Sequence, residues 1–326
     1  MNLRGTKQLV IGGAGFIGSH LVEQLLTSDV AEVVVFDNFA SGKPENLAAA
    51  LKDSRCRMAE GSCDIRDANA LAQAMQGMDG VFHLAALWLL HCRDHPREAF
   101  EVNISGTFNV LEACVEAGIK RLVFSSSASV YGDAAELPMT ENHPFNNRNF
   151  YGATKISGES MCRAFHDRYG LDYVGLRYMN VYGPRQDLHK AYAGVIPSLL
   201  RRAAAGEAPV INGDGSQAYD FVHVSDVARA NRLAMEAEVT DECINVGTGV
   251  QTRIRDLAEL LLGEIGSEMN PIYQPYTEAD ARQLVQHRIG CPRRAKELIQ
   301  FSHAVPLREG LRAVIEWHNA TEVAHA

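Results

Sequence analysis

Near its start the chain runs through the apolar stretch Leu9-Val10-Ile11 and then breaks into Gly12-Gly13-Ala14-Gly15-Phe16-Ile17-Gly18, with glycines at 12, 15 and 18. An apolar run followed by glycines at this spacing predicts a strand, a tight turn and the start of a helix. The first turn of a helix carries unpaired N–H groups and the positive end of the helix dipole, so it favours an anion. Gly12, Gly15, Phe16, Ile17 and Gly18 are therefore candidate contacts for the pyrophosphate of a dinucleotide. A glycine triplet by itself also fits an ordinary flexible turn. Here a strand precedes it, an amphipathic helix follows it, and it opens a longer series of the same kind.

That series sets the fold class. Strands are predicted at 8–11, 32–36, 56–59, 80–84, 121–125 and 172–177, and helices at 16–28, 67–76, 97–117 and 150–169. Alternation of this length predicts an α/β protein built on a doubly wound parallel sheet with helices on both faces. In helix 97–117, Pro96 can open the first turn, and Phe100, Ile104, Leu111 and Val115 form the apolar stripe. Beyond Gly183-Pro184 the rhythm loosens. Helices are expected at 195–205, 225–236, 253–265 and 307–320, and short strands near 209–211, 219–224 and 244–246. We read residues 1–178 as a dinucleotide-binding domain and 179–326 mainly as a smaller α/β lobe, with strand 244–246 returning to the first sheet. No Pro/Gly/Ser linker separates them, so they should share a cleft.

The second strand ends in Asp37-Asn38, about 20 residues after the last glycine. A carboxylate there can accept both hydroxyls of a ribose and repels a 2′-phosphate, which points to NAD rather than NADP. Asp64-Ile65 follows the third predicted strand, where Asp64 could hold the adenine edge or cap a helix. The net charge of −9 argues against nucleic acid and anionic membrane as partners. An acidic ligand would instead need a few placed cations. No apolar run is long enough to span a bilayer. The seven cysteines are scattered and odd in number, which reads as a reducing, cytoplasmic setting.

Ser125-Ser126-Ser127 ends a predicted strand, and Tyr151-Gly152-Ala153-Thr154-Lys155 opens a helix. The i, i+4 spacing puts Tyr151 and Lys155 on one face. A phenol titrates near 10, so serving as a base at neutral pH takes about 4 kcal/mol of help. A neighbouring ammonium supplies charge of the right sign, and Ser127 can hydrogen-bond the reacting oxygen. With His83-Leu84-Ala85-Ala86, Arg177–Gln186 and Asp220–Asp226, these stretches resemble the extended short-chain dehydrogenases/reductases of the NAD-dependent epimerase/dehydratase family over almost the whole chain. The resemblance implies two lobes with a nucleotide sugar in the cleft between them. It implies NAD held by the glycine loop, Asp37, Asn38, Asp64, Ile65, Leu84, Ala85, Ala86, Tyr151 and Lys155, and a dimer built on helices 97–117 and 150–169.

Members of this family begin by oxidising the sugar at C4, with Tyr151 here as the base. In similar dehydratases and decarboxylases, acids follow the catalytic Ser/Thr; here Ala128 and Ser129 stand in their place. Elimination then lacks its proton donor, and the redox-neutral outcome is 4-epimerisation. Other nucleotide-sugar chemistry, including 4-keto reduction, and a silent NAD-binding scaffold are the alternatives. By the same resemblance Asn180 meets the diphosphate or sugar, and Arg282 matches a C-terminal diphosphate arginine. Trp88, with Leu87, walls the sugar or packs in the core. Tyr219 stands where relatives commonly carry a diphosphate arginine, and Arg185 or Arg288 could compensate. Arg177 reads as half of a structural ion pair, and His223 as structural. His91 and His95, spaced i, i+4, lack a third metal ligand.

Overall fold

In the computed structural model, which describes residues 1–187, 194–276 and 285–325 with side chains followed to Thr321, seven strands form one sheet. They are β1 (Lys7–Ile11), β2 (Glu32–Phe36), β3 (Cys56–Met58), β4 (Gly80–His83), β5 (Arg121–Ser127), β6 (Tyr173–Tyr178) and, from much later in the chain, Glu242–Val246. The spatial order runs from that last strand through β6, β5, β4, β1 and β2 to β3, with every pair parallel. The order reverses between β1 and β4, and the crevice beyond the carboxyl ends of those two strands is where such sheets bind ligands.

Helices cover both faces. α1 (Phe16–Leu26) packs with the helix Val224–Glu236 over one face, where Leu21, Val22, Leu25, Ala228, Ala230 and Ala234 are buried together. α2 (Ala68–Met75), α3 (Leu89–Asp94), α4 (Pro96–Ala99), α5 (Thr107–Glu116) and α6 (Phe150–Tyr169) include the helices of the other face. There Leu71, Met75, Val110, Leu111, Cys114, Cys162 and Phe165 close a second core. α6 is well punctuated. The side chain of Asn149 accepts from the Gly152 N–H at 2.8 Å, and Gly170 ends the helix at φ +72°.

The predicted helix over 97–117 is interrupted. Pro96 opens it, but Phe100–Gly106 is a π-helical segment joining α4 to α5. The wider turn rotates the buried face away from the expected stripe. Phe100 is 47% exposed and Ile104 half-buried, while Asn103, Thr107, Val110 and Leu111 face inward. β7 (Asn180–Tyr182), α7 (Val195–Ala204), β8 (Val210–Asn212), β9 (Ala218–Tyr219), β10 (Phe221–His223), α8 (Val224–Glu236), β11 (Glu242–Val246), β12 (Thr252–Arg253), α9 (Ile254–Ile265), β13 (Ile272–Gln274), β14 (His287–Arg288), α10 (Arg293–Ile299) and α11 (Leu307–His325) follow. Of these, β11 belongs to the large sheet and α8 to its α1 face. A third core, including Tyr182, Ile196, Leu199, Leu257 and Leu311, lies under α7, α9 and α11. Among the described residues no helix is long and apolar enough to cross a membrane, and all seven cysteines are unbridged.

Candidate active site

The glycine loop is held from two sides. Gly12 sits at φ +84°, and a Cβ there would come within 2.7 Å of the Ala85 backbone nitrogen, so the crossing from β1 past β4 admits only glycine. Gly15 precedes α1 with no side-chain cap, leaving the first N–H groups of Phe16, Ile17 and Gly18 for another acceptor. Asp37 ends β2 nearly buried. One carboxylate oxygen accepts the Ala14 N–H and the other the Phe39 N–H, both at 2.8 Å. Burial raises its pKa, against the pull of those amides. Asp37 thus anchors the loop through both carboxylate oxygens.

Gly12, Gly15, Asp37, Asn38, Asp64, Ile65, Leu84, Ala85 and Ala86 all line one groove at the sheet's reversal point. The uncapped helix start, the bare glycine loop and the buried carboxylate at the groove's far end fit a dinucleotide: diphosphate at the helix, ribose at Asp37. Asp64 is not a helix cap, because Asp67 accepts the Ala70 N–H and caps α2. Asp64 instead pairs with Arg66 at 2.7 Å and accepts from Asn38 at 3.3 Å, stiffening the groove wall. Sequence reasoning missed Ser41 and Gly42 after β2 and Arg66 after β3, which line the same groove, because those loops carry no pattern of their own.

Ser127, Tyr151 and Lys155 converge at the end of β5 and the start of α6. Lys155 Nζ donates to the Ser125 carbonyl at 2.7 Å and lies 5.7 Å from the centre of the Tyr151 ring. Burial lowers the Lys155 pKa to about 8, with Glu159 opposing that shift. Burial raises the Tyr151 phenol to about 12, while hydrogen bonding with Ser127 and the charge of Arg288 pull it down. Ser127 also accepts the Ser129 N–H at 3.1 Å, which fixes the strand end. Ala128 and Ser129 are buried beside it and bring no carboxylate.

Behind this set lies a buried network whose pattern was only half visible in the sequence. Arg177 forms its ion pair with Glu159, 2.8 Å apart and both 7% exposed, and also donates to the Tyr131 hydroxyl. Glu159, one turn past Lys155, accepts from Ser126 at 2.5 Å, so α6, β5 and β6 are tied at one carboxylate. Asn103 was not anticipated. It receives the Leu87 N–H, donates to the Leu87 carbonyl, and reaches Thr154 on α6 at 3.2 Å.

The expected substrate contacts divide. Leu87 lines the groove, whereas Trp88 is half-buried at the start of α3. Asn180 starts β7, its backbone N–H bonded to the Asp220 carbonyl. Tyr219 donates its hydroxyl to the Val285 carbonyl and faces Arg288. Arg185, expected at the substrate, has its guanidinium ion-paired with Glu23 of α1. Arg282 lies outside the described residues. His223 caps α8, and His91 pairs with Glu98. His83, neutral because burial pushes its pKa down to about 3, meets the Thr107 hydroxyl. Among the described residues no cluster of metal-ligating side chains occurs.

Residues 8–247 match the NAD dependent epimerase/dehydratase family. A putative UDP-glucose 4-epimerase of Methanocaldococcus jannaschii is 35% identical, the match covering 95% of this chain and 97% of that one. A UDP-N-acetylglucosamine 4-epimerase from Methanobrevibacter ruminantium M1, solved with UDP-N-acetylmuramic acid, has a TM-score of 0.91 at 34% identity, covering 98% of this chain and 99% of its own. A UDP-N-acetyl-alpha-D-glucosaminuronate decarboxylase of Bacillus cytotoxicus is 32% identical over 96% of this chain and 98% of that protein. Epimerases and decarboxylases are thus similar to this chain to nearly the same degree.

Proposed function

The chain belongs to the NAD dependent epimerase/dehydratase family, with NAD as its cofactor, and from that premise we propose that it is a nucleotide-sugar 4-epimerase acting on UDP-sugars. The observation that carries this reading is the pairing of Ser127, Tyr151 and Lys155 with Ala128 and Ser129, a strand end that offers a base but no adjoining acid. Tyr151 takes the proton of the sugar 4-hydroxyl, and Ser127 holds that oxygen. Lys155 favours the phenolate through its charge. NAD held in the groove would supply the hydride acceptor and donor for C4. Tyr151 then gives the proton back to the oxygen of the turned 4-keto sugar. With no carboxylate beside Ser127, loss of a C6 hydroxyl goes without general-acid help, commonly worth about 10²–10⁴ in rate.

The glycine loop, Asp37, Asn38, Asp64 and Leu84–Ala86 hold the cofactor in this reading, and Asn180 meets the substrate. Phe100 and Phe108, with Phe150 and Tyr169 on α6, leave their rings 42% to 56% exposed. A second copy of this chain would cover that face, giving a homodimer.

The test is incubation with UDP-glucose, UDP-N-acetylglucosamine and UDP-glucuronate in heavy water, read by NMR. The expected product is the C4 epimer with no solvent deuterium on ring carbon. Deuterium at C3 or C5 would show proton-transfer epimerisation and overturn the C4 route.

A further inference from the structure

One cation in the active-site region has no carboxylate in contact with it among the described residues, and the acidic charge that acts on it from further off is that of Asp133. Arg288 is half-buried on β14, and its Nε is buried with no hydrogen-bond partner. No ion pair joins its guanidinium to a carboxylate among the described residues. By contrast, Arg177 is paired with Glu159, Arg185 with Glu23 and Arg294 with Glu242. An arginine cannot escape by losing its proton, and leaving such a cation enclosed and unpaired is costly. Its place is fixed by backbone on both sides. The Arg288 carbonyl accepts the Asp220 N–H at 2.9 Å, and the Asp133 carboxylate accepts the N–H groups of Gln286 and His287 at 3.0 and 3.4 Å. Ile289 and Cys291 are bonded to Met139 in the loop after β5. The segment is therefore stapled between β9 and the loop that leaves Ser127.

Its charge reaches two phenols, Tyr151 and Tyr219. Tyr219 is its direct partner in the β9–β14 register, and its hydroxyl is already committed to Val285. Tyr151 is the group that would touch the sugar at O4. C4 is flanked by the C3 hydroxyl on one side and by the C6 group on C5 on the other, whereas the diphosphate is attached at C1 across the ring, and of these two flanking groups C6 is the one that can be a carboxylate. A hydroxymethyl group at C6 would leave the guanidinium uncompensated. A carboxylate there accepts two of its N–H groups side by side, the geometry that guanidinium forks favour.

We propose that Arg288 is a specificity-determining residue that pairs with a carboxylate on the sugar, so that the preferred substrate is a nucleotide-linked uronate. This rests on the 4-epimerase reading for the placement of O4 at Tyr151, and deepens it by naming the substrate class.

The experiment uses the NAD-loaded protein and compares UDP-glucuronate, UDP-glucose and UDP by calorimetry and by turnover. Wild type should bind UDP-glucuronate about 10- to 100-fold more tightly than UDP-glucose, the range of a charge-assisted bidentate pair. Arg288→Gln should bring that ratio to within about threefold, and Arg288→Lys should restore part of it. Circular dichroism and NAD occupancy establish that each variant is folded. No preference in wild type would overturn the proposal. So would an equal loss for all three ligands in Arg288→Gln, since that would place the guanidinium on the diphosphate. A uronate preference that depends on Arg288, with a UDP-pentose and carbon dioxide as products, would uphold the arginine's role while overturning 4-epimerisation.

Discussion

Tyr151 and Lys155 are tuned against each other by burial. The same enclosure that raises the phenol to about 12 lowers the ammonium to about 8, so at neutral pH both hold their protons. Hydrogen bonding with Ser127 and the charge of Arg288 pull the phenol down, and Lys155 stands 5.7 Å from its ring, which is the help the proposed base would need. On the proposed route Tyr151→Phe removes the base while keeping the ring, and kcat should fall by about 10²–10⁴ with NAD occupancy retained. Lys155→Ala removes a cation that favours the phenolate. The tyrosine pKa then rises, and the ascending limb of the pH–rate profile should move to higher pH. An unmoved limb in Lys155→Ala would show that the ammonium does not act on the base. Ser127, Tyr151 and Lys155 were legible in the sequence because their spacing is local to a strand end and one helix face. Asn103 was not, since its partners Leu87 and Thr154 are distant in the chain and its own neighbourhood reads as ordinary amphipathic helix.

Elements transmit that tuning. α6 carries Tyr151, Lys155 and Glu159 at successive i, i+4 positions, so one helix holds the phenol, the ammonium and the carboxylate that ties it to β5 and β6. Glu159→Leu would leave Arg177 buried without its partner, and breaking a buried pair in this way costs about 3–5 kcal/mol. The urea midpoint should fall accordingly. The double variant with Arg177→Leu should recover part of the loss, because the stranded charge is then gone. If the single variant were as stable as wild type, the network would not be holding the elements together. At this scale the expected strands and helices recur with shifts of a few residues, except over 97–117. There a π-helical segment changes which side chains point inward. A periodicity of 3.6 assumed along the whole run cannot register a local turn of different width.

For the whole molecule, Phe108, Phe150 and Tyr169 are among the large apolar side chains left exposed. Phe108 packs edge-on against Phe165, which also stacks on Tyr169, yet the outer surfaces of Phe108 and Tyr169 face solvent. The double variant Phe108→Asp and Phe150→Asp should run at the 35.7 kDa mass of one chain in light scattering, against twice that for wild type. A wild-type mass of one chain would remove the dimer from the proposal.

Local chemistry alone determined much of this protein. A glycine at positive φ turns β1 into α1, an aspartate follows β2, and Tyr151 and Lys155 share a helix face, because each depends on residues within a few positions of one another. Tertiary structure decided the rest. Arg177 finds Glu159, Arg185 is drawn to Glu23, and β11 leaves its sequence neighbours to join β6. Arg288 is set opposite Tyr219 with no ion pair to a carboxylate among the described residues. Whether a charge is paired or left open depends on which segments meet in space, and no spacing along the chain encodes that.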